Sequence, residues 1–159
     1  MTVVSSNPDR ESLTMTIVCE FDATVDRVWQ LWEDPRQLER WWGPPGWPAT
    51  FERHEFEEGG ASRYYMTGPE GERAGGWWRI TAIDRPARLE FDDGFADESG
   101  EPTDEMPTMR MTVTLDGDDG RTRMTVLARF AAIDDLERVL EMGMEEGMKQ
   151  ALAQIDALL

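Results

Sequence analysis

Apolar and polar residues alternate along 12–21, SLTMTIVCEF. Leu13, Met15, Ile17, Cys19 and Phe21 fall on one face of a strand, and Thr14, Thr16 and Glu20 on the other. The same two-residue period returns at Met109, Met111, Val113 and Leu115, and again at Met124, Val126, Ala128 and Phe130. Turn signals at Gly59-Gly60, Pro69-Glu70-Gly71, Asp84-Arg85-Pro86 and Asp116 to Gly120 divide the intervening chain. The predicted strands are 49–57, 61–67, 73–84, 87–96, 106–117 and 121–131. The period lengthens in three places. Val28, Trp29, Leu31 and Trp32 predict a short helix, capped by Thr24 and carrying Asp26 in its first turn. Asp34-Pro35 ends it, because the residue before proline avoids the helical region. Gln37 to Trp42 predicts a second short helix before the Gly43-Pro44-Pro45-Gly46 loop. From Asp134 to Leu159 no proline intervenes, and Leu136, Leu140, Gly143, Gly147, Ala151, Ile155 and Leu158 recur at helical spacing. One helix of that length, rising about 1.5 Å per residue, crosses a small domain. Strands followed by one long helix predict an α+β fold, a curved antiparallel sheet wrapped around the C-terminal helix. Residues 1–11 are polar and read as a flexible N-terminus, leaving 12–159 as a single domain.

The final helix is apolar over a broad face. Met144, Met148, Leu152 and Ile155 widen the Leu140–Gly147–Ala151 stripe, as suits a helix gripped by a curved sheet. Gly143 and Gly147 each cost about 1 kcal/mol of helix propensity against alanine. Their pairing one turn apart indicates either a strand packed close to the helix or room left for a ligand. The ten methionines suit an adaptable apolar cavity and also any irregular core. Of the seven tryptophans, Trp29 and Trp32 share the first helix, Trp41, Trp42 and Trp47 belong to the second helix and its loop, and Trp77 and Trp78 are adjacent on one strand. Neighbours on a strand point to opposite faces, so one of Trp77 and Trp78 faces inward, as does one of Tyr64 and Tyr65.

Composition narrows the function classes. The 33 acidic and 16 basic residues leave a net charge of −17, a poor match for nucleic acid or an anionic membrane. The N-terminus carries no secretion-signal pattern, and no stretch approaches the roughly 18 apolar residues of a membrane span. A single cysteine cannot close an internal disulfide. These features predict a cytoplasmic protein.

Catalytic constellations are sparse. His54, the sole histidine, sits among charges in FERHEFEE and reads as a surface or partly satisfied side chain rather than a catalytic one. Cys19, on the apolar face of its strand, reads as a buried, inert thiol. Asp116-Gly117-Asp118-Asp119-Gly120 lacks the ligand spacing of a calcium loop and reads as a hairpin turn. Residues 91–105 hold seven acids and no base and read as a solvated, mobile loop. Arg63 and Arg79 occupy mid-strand positions, where an inward guanidinium would demand an anionic partner. If Trp78 and Ile80 face the helix, Arg79 faces water. No metal or cofactor site is predicted.

Three segments carry a family resemblance: VWQLWEDPRQLERWWGPPGW (28–47), GWWRITAIDRPARLEF (76–91) and GMEEGMKQALAQIDALL (143–159). The order of a strand, two short helices, a six-strand meander and a long final helix resembles the helix-grip fold of the SRPBCC (START/Bet v-like) superfamily. Within it, the chain resembles the family related to the C-terminal domain of the heat-shock protein 90 ATPase activator. The resemblance implies a ligand site between sheet and last helix, with residues 41–47 over its mouth. The candidates for its wall are Trp32, Trp41, Trp42, Tyr64, Tyr65, Trp77, Trp78, Arg79, Met111, Met144 and Met148. The leading expectation is a protein binding a small apolar or amphipathic molecule, as monomer or homodimer. A chaperone-partner role is the alternative, weakened because only about a dozen residues precede the first predicted strand, where the full activator has a separate chaperone-binding domain. A cyclase- or aromatase-like enzyme is the third reading, for which the sequence offers no clear acid–base pair.

Overall fold

The computed structural model describes residues 3–159. Among these residues nine strands form one antiparallel sheet: β1 (Val3–Asp9), β2 (Thr14–Phe21), β3 (Ala49–His54), β4 (Ala61–Thr67), β5 (Arg73–Asp84), β6 (Arg88–Ala96), β7 (Pro102–Thr103), β8 (Met109–Asp118) and β9 (Arg121–Arg129). The strand order is β1-β2-β9-β8-β6-β5-β4-β3, with the two-residue β7 attached to β6. Helices α1 (Val25–Glu33) and α2 (Pro35–Leu38) lie between β2 and β3, and α3 (Ile133–Glu141), α4 (Met144–Ala153) and a closing 3-10 turn (Gln154–Leu158) follow β9. The inner faces of the strands and the apolar faces of the helices meet in one continuous core. This is the expected α+β helix-grip architecture.

Local chemistry sets the boundaries. Thr24 caps α1, its hydroxyl accepting the Arg27 N–H at 3.2 Å. Asp34 ends α1 and caps α2, accepting from the Arg36 N–H at 2.9 Å, with Pro35 at the first helical position, where its missing N–H costs nothing. Asp119 and Gly120 both take positive φ, 52° and 76°, as a two-residue hairpin between twisted strands requires. On β2, Met15, Ile17, Cys19 and Phe21 are buried, as their alternation predicts.

Three expectations are corrected. Residues 3–9 are not frayed: they form β1, pairing with β2 from Val3↔Cys19 to Asp9↔Thr14. The Ser6 hydroxyl donates to Glu145 on α4, and Arg10 pairs with Glu137 on α3, fixing this segment to the helices. A half-buried edge strand needs few apolar residues, so its pattern was faint. Residues 1 and 2 of that expected flexible segment lie outside the described residues.

The last helix is also not continuous. Gly143 takes φ 82° and separates α3 from α4. Its N–H donates to Leu140 O at 3.0 Å, closing α3, while its carbonyl accepts the Gly147 N–H at 3.0 Å, opening α4. Glycine enters this left-handed conformation without the Cβ penalty, so the residue that costs helix propensity serves as the joint.

Finally, the acidic run 91–105 is not a loop throughout, because its first six residues complete β6. Leu89, Phe91 and Asp93 share the buried phase of that strand, which places a carboxyl group on the inner face.

Candidate functional site

The inner-face register brings Tyr64 of β4 and Asp93 of β6 together across β5. Tyr64 faces Gly76, and Asp93 is paired with Trp78 on one side and Met109 on the other. The Tyr64 hydroxyl donates to Asp93 Oδ1 at 3.0 Å. Both side chains are buried, Asp93 to 4% exposure.

Burial pushes the Asp93 carboxyl up to about 7, and the Tyr64 hydrogen bond only partly opposes it. Among the described residues no cation contributes to holding Asp93 ionised. Its neighbour Asp92 points the other way, where it pairs with Arg110 at 2.9 Å on the solvent face. The Tyr64 phenol is raised well above its ordinary value, by burial first and by the Asp93 charge second. The indole N–H groups of Trp42 and Trp78 lie close enough to the phenol oxygen to favour its ionised form, yet neither completes a hydrogen bond.

This polar pair opens onto a mostly apolar cavity of about 190 Å³ between the sheet and the C-terminal helices. Trp42 and Pro44 wall it from the α2–β3 loop, and Met66, Phe95 and Met109 from the sheet. The opposite wall is the α3–α4 joint, including Val139, Gly143, Met144, Gly147 and Met148. A Cβ at Gly147 would meet nothing within 4 Å. Of the two readings of the helical glycines, the structure therefore favours open space over close strand packing. The Gln154 amide donates to Gly43 O at 2.7 Å and Trp41 O at 3.2 Å, tying the loop that carries Trp42 and Pro44 to the end of the final helix.

Four expected wall residues line the cavity: Trp42, Tyr64, Met144 and Met148. The others do not. Trp32 and Trp41 are consumed by the core, Trp32 donating its N–H to Met124 Sδ at 3.3 Å and Trp41 to Leu31 O at 3.0 Å. Trp78 faces inward but stacks on Phe91, ring centroids 4.1 Å apart, and sits behind the wall. Met111 is fully buried in the sheet core. Trp77 takes the outer face and donates to Phe95 O at 3.1 Å. Tyr65 is also outward, with the Arg73 guanidinium 4.1 Å over its ring. Arg79 is exposed, as the inward phase of Trp78 and Ile80 requires.

Asp93 was missed. Its signal was its phase with Leu89 and Phe91, hidden by the acids around it. With Tyr64 it makes the titratable pair that the sequence alone did not show. His54 is satisfied within the fold: Nε2 lies 2.9 Å from Trp32 O and Nδ1 2.8 Å from Ser62 Oγ. Cys19 is fully buried, and burial pushes its thiol to about 12. Among the described residues no helix is long and apolar enough to cross a membrane.

The match to known proteins runs through the whole of this architecture. Residues 22–159 match the family described as Activator of Hsp90 ATPase homolog 1-like protein. The chain belongs to this family. An NMR structure of a protein from Arthrobacter aurescens is 59% identical over 98% of this chain and 91% of its own, with a TM-score of 0.95. A crystal structure of protein Ms6760 from Mycobacterium smegmatis is 46% identical over 99% of this chain and 96% of its own, with a TM-score of 0.91. A protein from Rhodobacter sphaeroides, 23% identical, shares the fold over 98% of this chain and 95% of its own at a TM-score of 0.81. No curated protein matches the chain.

Proposed function

We propose that this member of the Activator of Hsp90 ATPase homolog 1-like family binds a small apolar or amphipathic molecule between its sheet and its C-terminal helices, acting in the cytoplasm. The observation that supports this reading is the cavity itself: about 190 Å³, with a methionine-rich and aromatic wall and one polar corner at Tyr64–Asp93. Sites of this kind combine apolar walls with a few polar groups that orient the ligand. The size favours a compact guest, since an apolar cavity of about 150 Å³ accepts benzene.

The test is thermal denaturation against a panel of one- and two-ring compounds, on the wild type and on Gly147→Leu, whose side chain enters the open space. A rise in Tm with the wild type that disappears in Gly147→Leu supports the reading. The same rise in both proteins overturns it. The chaperone-ATPase role draws on the family description alone. It predicts that stoichiometric protein accelerates ATP hydrolysis by the chaperone, whether or not position 147 is filled.

A further inference from the structure

Among the described residues, Asp93 is the one ionisable carboxylate on the cavity wall, and none of them gives it a positive partner. Every element packed around it contributes neutral groups. Tyr64 comes from β4, Trp78 from β5 and Met109 from β8. The loop before β3 supplies Trp42, and the helical joint supplies Val139, Gly143, Met144, Gly147 and Met148. No charged side chain of that joint lines the cavity among the described residues, and two of them are engaged elsewhere: Glu145 takes the Ser6 hydroxyl, and Arg138 donates to Glu105 O at 2.9 Å. The positive end of α4 borders the cavity, but Glu145 and Glu146 in its first turn already complement it.

A buried, unpaired carboxylate is expensive, and the missing partner is a cation. The remaining surface suits an organic one. The Trp42 and Tyr64 rings meet near edge to face, 6.0 Å apart at 86°, beside Phe95 and the methionines. Aromatic faces attract ammonium groups, and thioethers adapt to irregular apolar bodies. The whole chain, at a net charge of −17, draws cations and repels anions.

We propose that the cavity selects a protonated primary amine carried on a compact apolar body of one or two rings, with the ammonium against Asp93 and the apolar part against the methionine wall. Tyr64 positions the carboxylate: its hydroxyl donates to Oδ1, leaving the carboxyl's remaining acceptor capacity for the ammonium. This deepens the binding reading and rests on it.

Calorimetric titration with three probes of one shape separates the two claims: phenethylamine, phenethyl alcohol and hydrocinnamate. The expected result is that the amine binds the wild type roughly tenfold or more tightly than the alcohol at pH 8, and that hydrocinnamate is weakest. Between pH 5 and 8 the amine keeps its proton while Asp93 loses its own, so amine affinity rises and alcohol affinity stays level. In Asp93→Asn the amine advantage is lost and the alcohol still binds. Equal affinities for amine and alcohol, a flat pH profile for the amine, or an amine preference that survives Asp93→Asn overturns the amine assignment while the cavity reading stands. Failure of all three probes to bind the wild type overturns both. The pH profile uses only the wild type, so it decides the matter even if Asp93→Asn folds poorly.

Discussion

Tyr64 covers Gly76. The two are cross-strand partners on β4 and β5, and a Cβ at position 76 would stand 2.3 Å from both Cζ and Oη of the tyrosine. The glycine leaves room for the phenol ring to lie across the sheet and reach Asp93 on β6. Gly76→Ala therefore forces Tyr64 out of place. Expected is a loss of about 1–3 kcal/mol in urea unfolding, the usual cost of overpacking a filled interior. Adding Tyr64→Ala should recover part of the Gly76→Ala loss, because the clash then has no partner. Independent, additive losses would show that the ring is not what the glycine accommodates.

Asp93 makes stability depend on pH in an unusual direction. Its carboxyl titrates at about 7 in the folded protein and near the ordinary carboxylate value of 3.8 when unfolded. Between those values the native state holds a proton that the unfolded state has lost, so stability falls as pH rises from about 4 to 7. The full penalty is on the order of 4 kcal/mol above pH 7, and Asp93→Asn should remove it. Unfolding of both proteins from pH 4 to 8 checks this. The variant should gain on the wild type steadily with pH, whereas a constant difference would place Asp93 in a solvated setting.

His54 acts in the opposite sense. Nε2 faces a carbonyl oxygen, so it must carry the proton and donate, and Nδ1 accepts from the Ser62 hydroxyl. Burial lowers its titration below the ordinary imidazole value of 6.5, with the Trp32 hydrogen bond opposing. The unfolded state then protonates first as pH falls, and stability drops below about pH 6.5. An NMR titration should find the His54 midpoint below the random-coil value. Ser62→Ala, which orphans Nδ1, should cost about 1–3 kcal/mol at pH 7.5. A midpoint at or above 6.5 would contradict the buried neutral imidazole.

What the chain disclosed beforehand follows from where periodicity is strong. Strands β2, β8 and β9 have one buried and one solvated face, so alternation marked them, and the bounds 61–67 and 73–84 agree with β4 and β5. The Asp34-Pro35 and Asp119-Gly120 breaks were visible because proline and positive φ leave few conformations. Strand β1 was not, because an edge strand needs few apolar residues. The site was half legible. Composition identified aromatic and methionine candidates, but the face taken by Trp77 or Trp78 depends on register, and a one-residue slip reverses every assignment. Asp93 was hidden because an acid among acids resembles a solvated loop. Only the sheet shows it in phase with Phe91.

Gly143 and Gly147 look alike in sequence and should respond oppositely to the same substitution. A Cβ at either would meet nothing within 4 Å, so packing does not distinguish them. Backbone conformation does. Gly147 lies within α4 without a positive φ, and alanine there should raise stability by up to about 1 kcal/mol through helix propensity. Gly143 sits at φ 82°, where an L side chain costs roughly 1–2 kcal/mol, so Gly143→Ala should lower stability by that amount. Urea unfolding of the two variants should place them on opposite sides of the wild type. If Gly143→Ala were instead stabilising, α3 and α4 would be joined as one rod in solution. The cavity wall at the joint would then have to be redrawn, since Gly143 and its neighbours line the space where the ligand is placed.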